Sequence, residues 1–303
     1  MPLYLGAACA VFDDGGRVLL SRRGDFNVWT LPGGRLDSGE TLMDAAAREV
    51  SEETGIIPHI ERLVGLYYAS GWDRLTALFA GWPLGGSLKQ RTAETRANAF
   101  FSLDALPAVV WRPQMIHDAC LPQRPLPRVL ETKPADLRRA RRRLAWRWVT
   151  NLLSGRPEPR RARFQVSAAA VIWDEAFRRV LTLPGRRGRV LPRVLCIGGR
   201  APWDVLADRL CQEHGLALQL HTTGVWQDLA RGCIELVFAA STPERNVPGA
   251  AEWSTAQHAA LGDRDLAYLE RVRPGFAADP IWTLIQDDTV GDEHVFLSGG
   301  NTT

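Results

Sequence analysis

The stretch Gly33–Gly55, GGRLDSGETLMDAAAREVSEETG, places four glutamates and two aspartates between a glycine pair and a closing glycine. Thr41 followed by Asp44 reads as a helix start, the hydroxyl capping the backbone N–H three residues on. MDAAAREVSEE is rich in good helix formers, and Gly55 suits the left-handed residue that ends a helix. The spacing predicts a helix over 42–54. Glu49, Glu52 and Glu53 then lie at i, i+3 and i+4 on one face, with Glu40 just before the helix. Like charges so spaced destabilise a helix, and a hard cation with oxygen ligands, magnesium or manganese, offsets the repulsion. A solvated acidic face is the plainer alternative on spacing alone. The glycines ahead of the helix allow a backbone carbonyl to approach a ligand.

The rest of the chain is ordinary globular material. Its 303 residues are 46% hydrophobic and 23% charged, enough for two domains. A net charge of +3 is too small to require a nucleic-acid partner. The charge is uneven, acidic near the N-terminus and basic around 138–147. Five widely spaced cysteines without a Cys-x-x-Cys argue against a disulfide framework or zinc site and suit a reducing cytoplasm. The six histidines have no metal-ligand spacing and are read as structural or solvated. The apolar start MPLYLGAACAVF lacks a basic flank and is read as a buried strand rather than a signal peptide. No apolar run is long enough to span a membrane.

A pattern occurs twice. AACAVFDDGGRVLL at 7–20 is echoed by AAAVIWDEAFRRVL at 168–181, LPGGR at 31–35 by CIGGR at 196–200, and AAAREVSEETG at 45–55 by VLADRLCQEHG at 205–215. So long a repeat is a duplicated domain rather than a solenoid unit. The reading gives a first domain over 1–128, a basic helical linker over 129–162 with its helix near 136–153, and a second domain over 163–303 ending in a tail that adds a strand or lies on the domain.

The opening stretch resembles the signature of the Nudix hydrolases at all its fixed positions: Gly34, five residues, Glu40, seven residues, then Arg48, Glu49, Val50, Ser51, Glu52, Glu53, Thr54, Gly55 and Ile56. The resemblance implies an α/β fold, here two α/β/α sandwich domains in tandem, each around a mixed sheet. It implies cleavage of a phosphoanhydride in a nucleoside triphosphate, or in a nucleoside diphosphate linked to another group, with Mg2+ or Mn2+. By the same resemblance Glu49, Glu52 and Glu53 are metal ligands, Glu40 and the Gly34 carbonyl complete the shell, and Arg48 orients the carboxylates. Either Glu49 or Glu53 serves as base, and Glu94 is a further candidate ligand or base.

Arg22, Arg23 and Trp72 are candidate substrate contacts, and Trp29, Tyr67, Tyr68 and Trp72 are candidate stacking surfaces for which core or rim is the plainer reading. Aligned on the glycine pair, the second copy has eight residues between Gly199 and Asp208 against thirteen between Gly34 and Arg48, so the counterpart of Glu40 falls in a gap. Arg48 then matches Asp208, Glu49 matches Arg209 and Glu52 matches Gln212, while Glu213 and Gly215 are kept. That predicts a folded but catalytically dead second domain. An RNA 5′-end pyrophosphohydrolase aided by the basic linker, and a nucleotide-binding regulatory protein, are the alternative functions. A homodimer is left open. The markers of particular Nudix substrate classes are absent, so the substrate is not read from the sequence.

Overall fold

The computed structural model describes residues 3–24, 27–121, 126–132, 162–186, 188–244, 246–255, 261–273, 276, 280–286 and 294–296, and within the linker Leu137, Arg138, Arg142, Ala145 and Trp146. The chain divides into two compact units, Tyr4–Leu121 with Val129–Arg163, and Phe164–Thr303 with Met1–Leu3 and Pro122–Arg128. Among the described residues no helix is long and apolar enough to cross a membrane.

The first unit begins with β1 (Tyr4–Val11), β2 (Val18–Arg23), β3 (Trp29–Thr30) and β4 (Gly33–Arg35), followed by helix α1 (Leu42–Thr54). Then come β5 (Ile56–Ala69), β6 (Arg74–Gly86), β7 (Thr95–Phe101), α2 (Pro113–Cys120) and β8 (Arg128–Leu130). Five strands form a mixed sheet in the order β4-β1-β6-β5-β8, and β3-β2-β7 form a second, antiparallel one. The apolar run of β1 is buried almost throughout, as suits a strand inside a sheet covered on both faces. β1 runs parallel to β6 and antiparallel to β4, with Ala7 opposite both Ala77 and Gly34. This register sets the glycine pair beside the central strand.

Ala8 and Ala10 of β1 pack in one cluster with Tyr67, Leu78 and the α2 residues Met115, Ile116 and Ala119. Tyr67 and Tyr68 are therefore core rather than stacking surfaces, 0% and 2% exposed, and the Tyr67 hydroxyl is held by Asp118 at 2.8 Å. Trp29 stands edge-on to Phe101 against the same cluster. Of the stretch read as a linker, Val129 and Leu130 belong to the strand Arg128–Leu130, the five described residues from Leu137 to Trp146 are helical, and the rest of 136–153 lies outside the described residues.

The second unit contains β9 (Gln165–Asp174), β10 (Arg179–Gly185), β11 (Gly188–Val190), β12 (Arg193–Cys196) and helix α3 (Pro202–His214). It continues with β13 (His221–Asp228), β14 (Cys233–Thr242), β15 (Glu252–Thr255), helix α4 (Asp263–Arg271), β16 (Trp282–Gln286) and β17 (His294–Phe296). β9 is parallel to β14 and antiparallel to β12, as β1 is to β6 and β4. β16 and β17 of the tail extend the sheet beyond β13.

The second unit corrects the alignment on the glycine pair. The Pro192 carbonyl accepts from Ala170 N at 2.9 Å just as the Pro32 carbonyl accepts from Cys9 N at 3.1 Å. Val194 faces Ala168 where Gly34 faces Ala7. The counterpart of LPGGR is thus LPRVL at 191–195, and Gly198 and Gly199, both with positive φ, belong to the loop before α3. Thirteen residues separate Val194 from Asp208, the same number as separate Gly34 from Arg48, so the loop is not shortened. Arg200 occupies the place of Glu40 and pairs with Asp208, which occupies the place of Arg48. The brace between loop and helix is present in both units with its charges exchanged.

Candidate active site

Helix α1 is built as the sequence predicts. Thr41 Oγ1 accepts from Asp44 N at 3.0 Å, and Gly55 closes the helix at φ +78°, its N–H on the Ser51 carbonyl. The buried face carries Leu42, Ala45, Ala46 and Val50, but also Glu49 and Glu53. Burying two carboxylates on an apolar face is costly unless each is compensated.

Compensation comes from the surrounding elements. Glu53 Oε2 accepts from Gly33 N at 3.2 Å. The Glu53 carbonyl accepts from Asn98 Nδ2 at 2.8 Å and Thr95 Oγ1 at 3.1 Å, which ties the end of α1 to β7. The same tie brings in Glu94, one residue before β7. Ligand oxygens of Glu49, Glu53 and Glu94 lie within 4.8 Å of one another, two from buried residues and one from an exposed one. A Cβ at Gly34 would stand 2.1 Å from Glu49 Oε1, so the glycine leaves the space that this carboxylate occupies.

Arg48 is the brace. Its Nε and Nη2 grip both oxygens of Glu40 at 2.8 and 3.0 Å. Its Nη1 reaches Glu49 at 3.0 Å and Glu52 at 3.1 Å, and Nη2 also donates to the Arg35 carbonyl at 3.0 Å. The structure thus separates the acidic set into two groups. Glu49, Glu53 and Glu94 converge, while Glu40 and Glu52 sit on the guanidinium of Arg48, with Glu49 bridging the two groups.

Burial pushes the Glu53 carboxyl up to about 7, with Glu49 adding to the shift and Arg23 opposing it. Burial also raises Glu49, against the pull of Arg48. Burial and the Glu40 partner act on Arg48 in opposite senses, and the carboxylates win, holding its proton more firmly than usual.

Arg22 and Arg23 end β2, and Arg22 Nε is buried with no hydrogen-bond partner among the described residues. Trp72 lies in the turn between β5 and β6. Among the described residues no histidine joins the carboxylate cluster: His59 stacks on Trp82 and His214 is buried against the Pro248 carbonyl, and His258 lies outside the described residues. His294 has no described side-chain environment.

Residues 2–119 match the NUDIX domain family. A putative 8-oxo-dGTP diphosphatase of Bacillus subtilis (strain 168) is 35% identical over 102 residues, 34% of this chain and 68% of its own length. The chain belongs to the Nudix family. A MutT-like protein of Streptomyces ambofaciens is 36% identical over 104 residues, 34% of this chain and 67% of its own. An ADP-ribose pyrophosphatase of Methanocaldococcus jannaschii is 34% identical over 119 residues, 36% of this chain and 70% of its own.

The site of this Nudix hydrolase includes side chains that the motif does not announce. Asn98 and Thr95 are remote in sequence from the Glu53 they fix. Arg74 donates from Nη2 to the Gly34 carbonyl at 2.6 Å, the oxygen expected to complete the metal shell. Burial, with help from Arg23, lowers the Arg74 guanidinium to about 10. Arg112, the left-handed residue before α2, is likewise lowered to about 10 by burial and by Arg74. A buried cation has no periodic signature in sequence, so only the fold brings these residues forward.

Proposed function

We propose that the first unit is a divalent-metal-dependent pyrophosphohydrolase, cleaving a phosphoanhydride of a nucleoside triphosphate or of a nucleoside diphosphate linked to a further group. The observation that carries this reading is the convergence of Glu49, Glu53 and Glu94 to within 4.8 Å. All three offer hard oxygen donors, which fit Mg2+ or Mn2+. Burial and repulsion from neighbouring carboxylates raise Glu49 and Glu53, a strain that a cation would relieve. When bound, the cation supplies positive charge to the diphosphate and assists the attacking water.

The chain's own residues have distinct tasks in this reading. Glu49, Glu53 and Glu94 hold the cation, with Glu40, Glu52 and the Gly34 carbonyl as further candidate ligands. Arg48 keeps Glu49 in one orientation through charge-assisted bonds. Arg22 and Arg23 face the diphosphate, and Trp72 is the candidate contact for the base. Either Glu49 or Glu53, each a carboxylate at the centre of the cluster, is the candidate general base.

The second unit is read as a Nudix-like domain without catalytic power. Supporting this are the shared register and loop length, and the replacement of Glu49 and Glu52 by Arg209 and Gln212 in a helix of the same length.

The test is a nucleotide panel with magnesium, including nucleoside triphosphates, their oxidised forms, ADP-ribose, sugar nucleotides, dinucleotides and 5′-triphosphorylated RNA. Glu53→Gln is expected to lower turnover at least about 100-fold while the protein stays folded, and Glu52→Gln to remove most activity. Unchanged turnover in both variants overturns the assignment.

A further inference from the structure

A buried arginine beside a set of metal-ligating carboxylates calls for an explanation. Arg74 opens β6 opposite Tyr4, and its side chain crosses β1 to the Gly34 carbonyl on β4. The crossing is possible because residue 6 is glycine. A Cβ there would lie 2.7 Å from Arg74 Nη2 and 2.2 Å from the Gly34 carbonyl oxygen. A Cβ on Gly34 would collide with the Glu49 carboxylate at 2.1 Å. The Gly34 peptide is thus held at its carbonyl oxygen by the Arg74 guanidinium, while the space that a Cβ of Gly34 would fill holds the Glu49 carboxylate. Glu49 and Glu53 are carboxylates that act on Arg74, and Arg23, Arg35 and Arg112 are cations that oppose it.

We propose that Arg74 is a positioning residue of the metal centre, an internal cation that holds the Gly34 carbonyl and balances Glu49 and Glu53 in the metal-free protein. The role rests on the metal reading above and adds to it. Arg48 already orients Glu40, Glu49 and Glu52 from the solvent side. Arg74 acts from within the sheet, on the one backbone oxygen of the proposed shell. A charge fixed there keeps buried carboxylates together without metal, and it opposes the arrival of a divalent cation. Metal affinity is then set by an internal competitor as well as by the ligands.

The test compares three full-length proteins by Mn2+ titration, followed by electron paramagnetic resonance, and by thermal unfolding with chelator and with Mn2+. Arg74→Gln removes the charge and keeps a polar, hydrogen-bonding side chain at the position. Arg74→Lys keeps the charge. Removing a unit charge a few ångströms from the site is expected to tighten Mn2+ binding by about fivefold or more in Arg74→Gln. Its unfolding temperature in chelator is expected to fall, and the rise on adding Mn2+ to exceed that of the wild type. Arg74→Lys is expected to stay within about twofold of the wild-type Mn2+ affinity. Unchanged or weaker Mn2+ binding in Arg74→Gln overturns the proposal while leaving the metal site standing. A wild-type protein that binds no Mn2+ overturns the metal reading and this role with it.

Discussion

At the scale of single residues, Glu53 carries a consequence that can be worked out with its sign. Its folded carboxyl titrates near 7, above the ordinary glutamate value of 4.5. The folded protein therefore keeps a proton that the unfolded chain has already released. Stability from this group is full below the unfolded value and is lost as pH rises through 7, on the order of 3 kcal/mol for an isolated group. In chelator, the unfolding temperature is expected to be lower at pH 8 than at pH 5. Glu53→Gln is expected to flatten this slope and to be the more stable protein at pH 8, as calorimetry would read. Equal slopes in the two proteins would assign the effect elsewhere. The same residue marks the limit of sequence reading. Its place on the helix is legible from i, i+4 spacing, but its burial and its ties to Gly33, Thr95 and Asn98 come from strands distant along the chain. Spacing alone would group Glu52 with Glu53, whereas the fold sends Glu52 to Arg48 and brings Glu94 in.

At the scale of elements, the unit that matters is β4, its loop and α1. Local chemistry specifies this unit almost completely. Thr41 and Gly55 cap the helix at the predicted ends, and Arg48 ties it back to Glu40 and to the Arg35 carbonyl. The glycine pair divides the labour. A Cβ on Gly33 would meet the Ala7 carbonyl at 2.5 Å and Ala8 Cα at 2.7 Å, both backbone. A Cβ on Gly34 would meet the end of a side chain, Glu49. Gly33→Ala is therefore expected to destabilise the fold, by roughly 1–3 kcal/mol as for other overpacked sites. Gly34→Ala is expected to keep most of the stability but to displace Glu49 and lose turnover at least about 100-fold. Denaturant unfolding beside nucleotide turnover separates the two. If Gly34→Ala hydrolyses as the wild type does, the position of Glu49 is not critical to catalysis.

At the scale of the whole molecule, the two units share a strand pairing and a loop length but carry different charges on them. The repeat is visible in sequence because apolar strands and helix-ending glycines recur. Its exact registration is not, because the letters GGR recur five residues late and attract the alignment. Backbone pairing settles the matter: LPRVL takes the place of LPGGR, and Arg200–Asp208 takes the place of Glu40–Arg48. An exposed ion pair of this kind contributes little energy, but either polarity can join loop to helix. The carboxylates are different, because no exchange of sign preserves a cation site. In α3, Arg209 pairs with Glu213, so the carboxylate kept from the pattern already has a cation on it. The whole chain is therefore expected to bind Mn2+ at the first unit alone. The double variant Glu49→Gln/Glu53→Gln should leave no Mn2+ binding in a titration at up to about a hundred times the wild-type dissociation constant, where a remaining site of equal affinity would be about 99% filled. Glu213→Gln should leave both turnover and Mn2+ binding within about twofold of the wild type, the scatter expected of a distant surface change. A full site remaining in the double variant, lost only when Glu213 is also replaced, would place a working metal centre in the second unit. The exchanged brace would then belong to a second active frame rather than to one that has kept its shape without its chemistry.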